Sequence, residues 1–270
     1  MSAGGAGGEA TGGIPQNTLI GVGVGGGLIA AYAGHFLTQG IGPTFAFIGA
    51  LGAICAIVWG AAAVRRVASY GLGTGVPSIG MMALGMGVVA SMFGLAVGGI
   101  AGPIVAFVAA AIIGLVIGVL ANKVLGMGIP IMEQSMTEIA GAGALTIIGL
   151  SVAMTGTFMF DAVLETVVAT GYIAVIFIAG GMGILHPFNA NLGPDEKQDR
   201  TLTTAVEKGA IAMIIAGIVA TVATGASAIP SIVIGILIWY VAFRKYVELV
   251  NRDAYKVIGT GLLPTEEELE

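Results

Sequence analysis

The chain has 270 residues, of which 57% are hydrophobic and only 9% charged, with a mean hydropathy of +1.01. A soluble domain carries about a quarter charged residues, so this composition excludes a water-exposed globular surface and makes lipid the main solvent. The net charge of −5 leaves no basic surplus for nucleic acid, and the single cysteine, Cys55, excludes an internal disulfide or a multi-cysteine metal centre within the chain.

Residues 1–17 read as a flexible tail of small residues, without the basic segment of a cleavable signal. Crossing a hydrocarbon core of about 30 Å takes roughly 20 helical residues. No charge falls between Ala10 and Val64, or between Val67 and Asn122. Each stretch accommodates two spans, with turn chemistry midway at Gln39–Pro43 and Gly98–Pro103. The predicted spans are 18–37, 43–63, 78–99, 103–121, 139–160, 166–185, 209–226 and 229–246. They define an all-α, polytopic integral membrane protein of about eight transmembrane helices over residues 18–247, with an acidic tail over 248–270.

The basic residues give an independent test of that count, because Lys and Arg concentrate in cytoplasmic loops. Arg65, Arg66, Lys123, Lys197, Arg200, Lys208, Arg244, Lys245, Arg252 and Lys256 all fall after even-numbered spans. Eight spans therefore put every one of them on a single side together with both termini, which predicts a multi-pass cell-membrane protein with cytoplasmic N and C termini. Asp161 and Glu165 fall on the opposite side, as acidic residues at the outer interface.

Gly21–Gly26 fits G-x-G-x-x-G, but no strand precedes it and no βαβ unit surrounds it. Gly21/Gly25, Gly23/Gly27, Gly94/Gly98 and Gly114/Gly118 read instead as small-residue faces for helix packing. Gly73-Thr74-Gly75-Val76-Pro77 and Gly126-Met127-Gly128-Ile129-Pro130 share one pattern. It marks either two similar helix starts, with proline in the first turn, or a duplicated hairpin unit of the kind transport proteins carry.

Few residues are equipped for chemistry. His35 sits at the outer end of the first span, as an interfacial residue. His186 opens a loop with Asn189, Asn191 and Asp195 that reads either as a rigid partner- or ligand-binding segment or as a tight exit turn. Glu133 and Glu138 lie at the cytoplasmic start of the fifth span. Acidic residues there complement the helix dipole, and Glu133 is a further candidate for partner or ligand contact. Gln134, Ser135 and Thr137 add oxygen atoms, and an ionisable residue close to a span is costly enough to indicate a role. Glu138 is accordingly the candidate metal-site residue, on a sodium path.

Several segments resemble one family: Ile57-Val58-Trp59-Gly60, the block Arg65–Gly80, His186-Pro187-Phe188-Asn189-Ala190, Leu192-Gly193-Pro194 and Trp239–Arg244. The family is the C subunit of the membrane-bound tetrahydromethanopterin S-methyltransferase of methanogenic archaea, and the resemblance runs from about residue 14 to the acidic C-terminus. It implies a complex that moves a methyl group from methyl-tetrahydromethanopterin, through a corrinoid, to coenzyme M, and couples this to sodium export. Subunits of the D and E type are implied as membrane partners, the A type as corrinoid carrier and the H type as the site of methyl-pterin chemistry. The Asp-x-His-x-x-Gly corrinoid signature is absent here, so no cofactor and no catalytic residue are assigned to this chain alone. The alternatives are a stand-alone secondary transporter or channel, and a structural scaffold subunit of a membrane complex.

Overall fold

A computed structural model describes residues 13–70, 75–159, 198–224 and 228–254, together with 161, 165, 180–181 and 183–187. Among these residues there are seven long helices and no strand. They are α1 (Gln16–Gly40), α2 (Pro43–Ala68), α3 (Gly75–Val97), α4 (Gly102–Val124), α5 (Met132–Thr155), α6 (Gln198–Thr224) and α7 (Ile229–Ala254). Six of them, α1 to α6, have the length and apolarity to cross a membrane. α7 is uncharged from Ile229 to Phe243 and then turns polar at Arg244 and Lys245. The chain is an all-α polytopic membrane protein.

The helix boundaries follow from local chemistry. Pro43 and Pro103 sit in the first turns of α2 and α4, where a missing N–H costs nothing. Gly98 and Gly99 both take positive φ, 71° and 59°, which closes the tight α3–α4 turn at little steric cost. The two Gly-x-Gly-aliphatic-Pro segments are used differently. Gly75 and Pro77 lie within α3, whereas Pro130 precedes α5. Gly73 and Thr74 lie outside the described residues.

Several helices run past the predicted spans, because backbone hydrogen bonding continues through the polar residues that flank the apolar stretches. α5 begins at Met132 rather than near 139, so Glu133 and Glu138 lie inside it. α6 begins at Gln198 rather than near 209, which makes Arg200, Glu207 and Lys208 helical. The predicted span 166–185 lies outside the described residues except for 180–181 and 183–185.

α5 is the axis of the bundle. It packs against α1, α2, α3, α4 and α6, and 94% of its most apolar window is buried. The approaches are close enough to require glycine. A Cβ at Gly87 of α3 would lie 2.3 Å from the Ala140 carbonyl oxygen, and one at Gly114 of α4 would lie 2.4 Å from that of Met136. On the α2 side, Gly49 and Gly149 face each other, each Cβ position 2.6 Å from the other's carbonyl oxygen. Gly94, Gly114 and Gly118 thus act as the predicted packing residues. In the first span the face is split: Gly23 abuts Trp59 and Gly27 abuts Leu145, while Gly21 and Gly25 face open space. α1 widens to a π turn over Gly21–Gly26 where Trp59 packs on it.

The two ends of the bundle differ. At one end the start of α1, the ends of α2, α4 and α7 and the starts of α5 and α6 are tied by polar contacts. Gln16 and Arg66 meet Glu138, and Lys123 meets Glu133 at 4.0 Å. Gln198 bonds the Ile14 backbone through both of its amide atoms, and Arg252 meets Asp199 at 3.0 Å. At the other end Tyr32 donates to the Ile100 carbonyl and Gln39 donates to that of Gly156 at 3.2 Å. No Lys or Arg lies at this second end among the described residues.

Gly149→Ala is expected to cost about 1–3 kcal/mol through overpacking, whereas Gly25→Ala stays within about 0.5 kcal/mol as a change in open space. Thermal unfolding of the detergent-extracted protein measures the difference, and equal effects would refute the packing account.

Candidate functional site

α5 places Gln134 and Glu138 on one face, four residues apart, and rises about 9 Å from Met132 to Glu138 at 1.5 Å per residue. Glu138 is only 4% exposed. A bare carboxylate at such a position would be prohibitively desolvated, so its partners decide whether it can exist there. Trp59 of α2 donates its indole N–H to Oε2 at 2.9 Å, and Gln16, the first residue of α1, donates to the same oxygen. Gln134 donates to Oε1 at 2.7 Å. The Arg66 guanidinium stands 3.9 Å from Oε1, which is beyond hydrogen-bond distance and within the range of charge attraction. Three helices thus converge on one buried carboxyl group. Exposure falls from Gln134 through Arg66 and Gln16 to Trp59, so the cluster runs inward from the polar end. Ser135, one turn before Glu138, has a buried hydroxyl with no hydrogen-bond partner among the described residues.

Glu133 does different work. Asn122 donates to its two oxygens at 3.0 and 3.2 Å, while the Asn122 carbonyl oxygen accepts from the Ile129 N–H at 2.9 Å. This side chain therefore fastens the α4–α5 connection to the first turn of α5. Lys123 is 71% exposed and lies at 4.0 Å, a pair that water screens to little value.

His186 is exposed, while Asn189, Asn191 and Asp195 lie outside the described residues. Asp161 and Glu165 are exposed. His35 is buried within the bundle against Phe158, with ring centroids 4.0 Å apart. Sequence reasoning did not connect Gln16, Trp59 and Arg66 to Glu138, because their separations along the chain carry no periodic signal. It also placed Lys208 in a loop, whereas Glu207 and Lys208 form a largely buried 2.9 Å pair within α6.

Over residues 1–267 the sequence matches the family model that describes the C subunit of tetrahydromethanopterin S-methyltransferase. It is similar to the protein of that name from Methanosarcina acetivorans, at 68% identity over the full length of both chains. A relative from Methanothermobacter marburgensis is 47% identical over 97% of this chain and 98% of its own length. One from Methanocaldococcus jannaschii is 40% identical over 99% of this chain and its whole length.

Trp59→Phe leaves Oε2 of Glu138 one donor short and is expected to cost about 1–3 kcal/mol. In a Glu138→Gln background the same change is expected to cost less. Thermal unfolding of the four members of that cycle reads the coupling, and strict additivity would show that the indole N–H does not sustain the carboxylate.

Proposed function

Because the chain belongs to the C-type family of tetrahydromethanopterin S-methyltransferase subunits, and so is a membrane component of a multi-subunit methyltransferase complex, we propose that it lines part of a sodium path there. In this reading the complex passes a methyl group from methyl-tetrahydromethanopterin via a corrinoid to coenzyme M and exports sodium as it does so. The corrinoid supplies the methyl-transfer chemistry on an A-type subunit, and this chain supplies membrane structure and ion access.

The observation that carries the proposal is Glu138, a buried carboxylate inside a helix long and apolar enough to span a membrane. Ionisable groups in that setting are expensive and usually mark ion or proton routes. The unpartnered Ser135 hydroxyl adds a hard oxygen beside it, of the ligand type that alkali and alkaline-earth cations take. The asymmetry of basic residues supports a cytoplasmic orientation for the polar end. That end, with Glu133, is the proposed docking face for the A-type subunit, and His186, Asn189, Asn191 and Asp195 are proposed as further contacts. The exposed apolar faces of α3 and α4, which include Met82, Phe93, Ile112 and Val116, are proposed to meet D- and E-type subunits and lipid in the cell membrane.

The purified complex in liposomes should take up sodium during methyl transfer. Glu138→Gln is expected to lower the sodium moved per methyl group by at least about fivefold, the low end of a 1–3 kcal/mol coupling. An unchanged ratio would remove Glu138 from the path. Extraction of the chain without A-, D- or E-type subunits in a mild detergent would remove the partner assignment.

A further inference from the structure

We infer that residues 13–16 form a strap across the polar end and that Gln198 is its clasp, a positioning residue that sets Gln16 on Glu138. The inference rests on the sodium-path reading of Glu138, and it names what closes the approach to that carboxyl group from the polar end.

The strap is held at both ends. Gln198, the first residue of α6, accepts a hydrogen bond from the Ile14 N–H at Oε1 and donates from Nε2 to the Ile14 carbonyl, the latter at 3.2 Å. One carboxamide thus pairs with both backbone groups of a single residue, as a neighbouring strand would. Gly13 makes this approach possible. Its φ is +100°, and a Cβ there would lie 2.6 Å from Gln198 Cδ, so conformation and contact both call for glycine. At the other end Gln16 donates to Glu138 Oε2. Between the two stands Pro15 alone. Its ring holds φ at −57°, and its carbonyl accepts from the N–H groups of Thr18 and Leu19 at 3.0 and 3.2 Å. A shift of Ile14 therefore reaches Gln16 with little slack. These are the only hydrogen bonds that the Gln16 and Gln198 side chains make among the described residues.

What the strap controls follows from the oxygen it covers. Each carboxylate oxygen offers about two acceptor positions. On Oε2 the Trp59 indole holds one and Gln16 the other. Trp59 is buried and wedged against Gly23, whereas Gln16 reaches in from the polar end on a flexible stem. An untethered glutamine carries enough rotamer entropy to oppose that bond, and the clasp removes this cost in advance. The clasp itself opens at little expense, because Ile14 is 48% exposed and its two hydrogen bonds to Gln198 lie at the surface. With the strap down, both positions on Oε2 are filled. With it lifted, one of them opens toward the polar end, where an entering sodium ion would take it.

The test uses the assembled complex and a hydrophobic carbodiimide, which modifies buried carboxyl groups, with the labelling rate of Glu138 read by peptide mass spectrometry. Gln16→Ala and Gln198→Ala are each expected to raise that rate by about tenfold, the effect of one lost hydrogen bond. Gly13→Ala, which keeps both glutamines, is expected to raise it as well. Gln198→Glu keeps the acceptor for the Ile14 N–H and loses the donor, and is expected to fall between parent and alanine variant. Because the clasp acts through Gln16, Gln198→Ala adds nothing in a Gln16→Ala background. A rate unchanged by Gln198→Ala and Gly13→Ala, or a Gln198 effect that persists without Gln16, overturns the strap. If the alanine variants do not assemble, Gln198→Glu alone decides, and a parental rate overturns it. The second readout is the sodium concentration giving half-maximal methyl transfer, which is expected to fall in the same variants. If Glu138→Gln alters the sodium dependence while the strap variants leave it parental, control of sodium entry is refuted and the path stands. If Glu138→Gln leaves it unchanged, the path reading falls, and the labelling series still decides whether the clasp holds Gln16 on Glu138.

Discussion

In lipid the burial of apolar surface gives helices no reason to associate, so contact distance and polar satisfaction must hold a bundle together. The central position of α5 makes that constraint acute. Its neighbours reach it at distances that a single added carbon would violate, through Gly87, Gly114 and the Gly49–Gly149 pair. Several glycines of this chain, Gly49, Gly87, Gly114, Gly118 and Gly149 among them, are thus explained by one buried helix that must be approached from several sides. The same enclosure fixes what its polar residues can do. Thr146 turns inward to the Ala142 carbonyl at 2.7 Å, the ordinary way for a hydroxyl on a buried helix to satisfy itself. A carboxylate cannot donate to a backbone carbonyl in that way, and Glu138 draws one partner, Gln134, from its own helix and the others from α1 and α2.

That demand links the first helix, the second helix and the axis at one end of the molecule. Stability alone does not account for it. Buried ion pairs can often be replaced as a whole by apolar side chains at no cost in stability. The arrangement instead holds a charge in place with uncharged donors and neutralises it with a cation at longer range. Glu133 shows the contrast within the same helix. It is near water, paired with an exposed lysine and tied to Asn122, and its contacts organise a turn. Two glutamates five positions apart are therefore built for different tasks, one for folding the α4–α5 connection and one for holding charge inside the bundle.

Much of the architecture was legible in the sequence for simple reasons. Charge-free stretches bounded by glycine–proline turns predicted α1 to α4 closely, and the segregation of basic residues anticipated a bundle with one polar end. The starts of α5 and α6 were less legible. Hydropathy marks where hydrocarbon begins, whereas Glu133, Gln134, Gln198 and Asp199 continue the helices into the polar region. Glu138 itself stood out because a carboxylate beside an apolar run is costly. Its partners did not, because whether Gln16, Trp59 and Arg66 share a point in space depends on how three helices pack. The Gly21–Gly26 segment shows the same limit. Its glycines fit two packing registers equally well, and only the position of Trp59 decides that Gly23 is the one covered.

The position of the cluster also bears on how a docked partner could influence it. Gln16 contacts Glu138 directly, and Ile14, two residues before it, is held by Gln198, whose own neighbour Asp199 pairs with Arg252 at the end of α7. These contacts join the ends of three helices to the carboxylate through a few side chains. A protein that moved the exposed Arg252–Asp199 pair or the start of α6 would act on Gln16 within two contacts, and removing one donor from Oε2 weakens the hold on the charge that Arg66 balances. Coupling across the membrane then requires no long pathway through the bundle. It requires only that partners dock, as proposed, at the polar end, from which the buried Glu138 is reached.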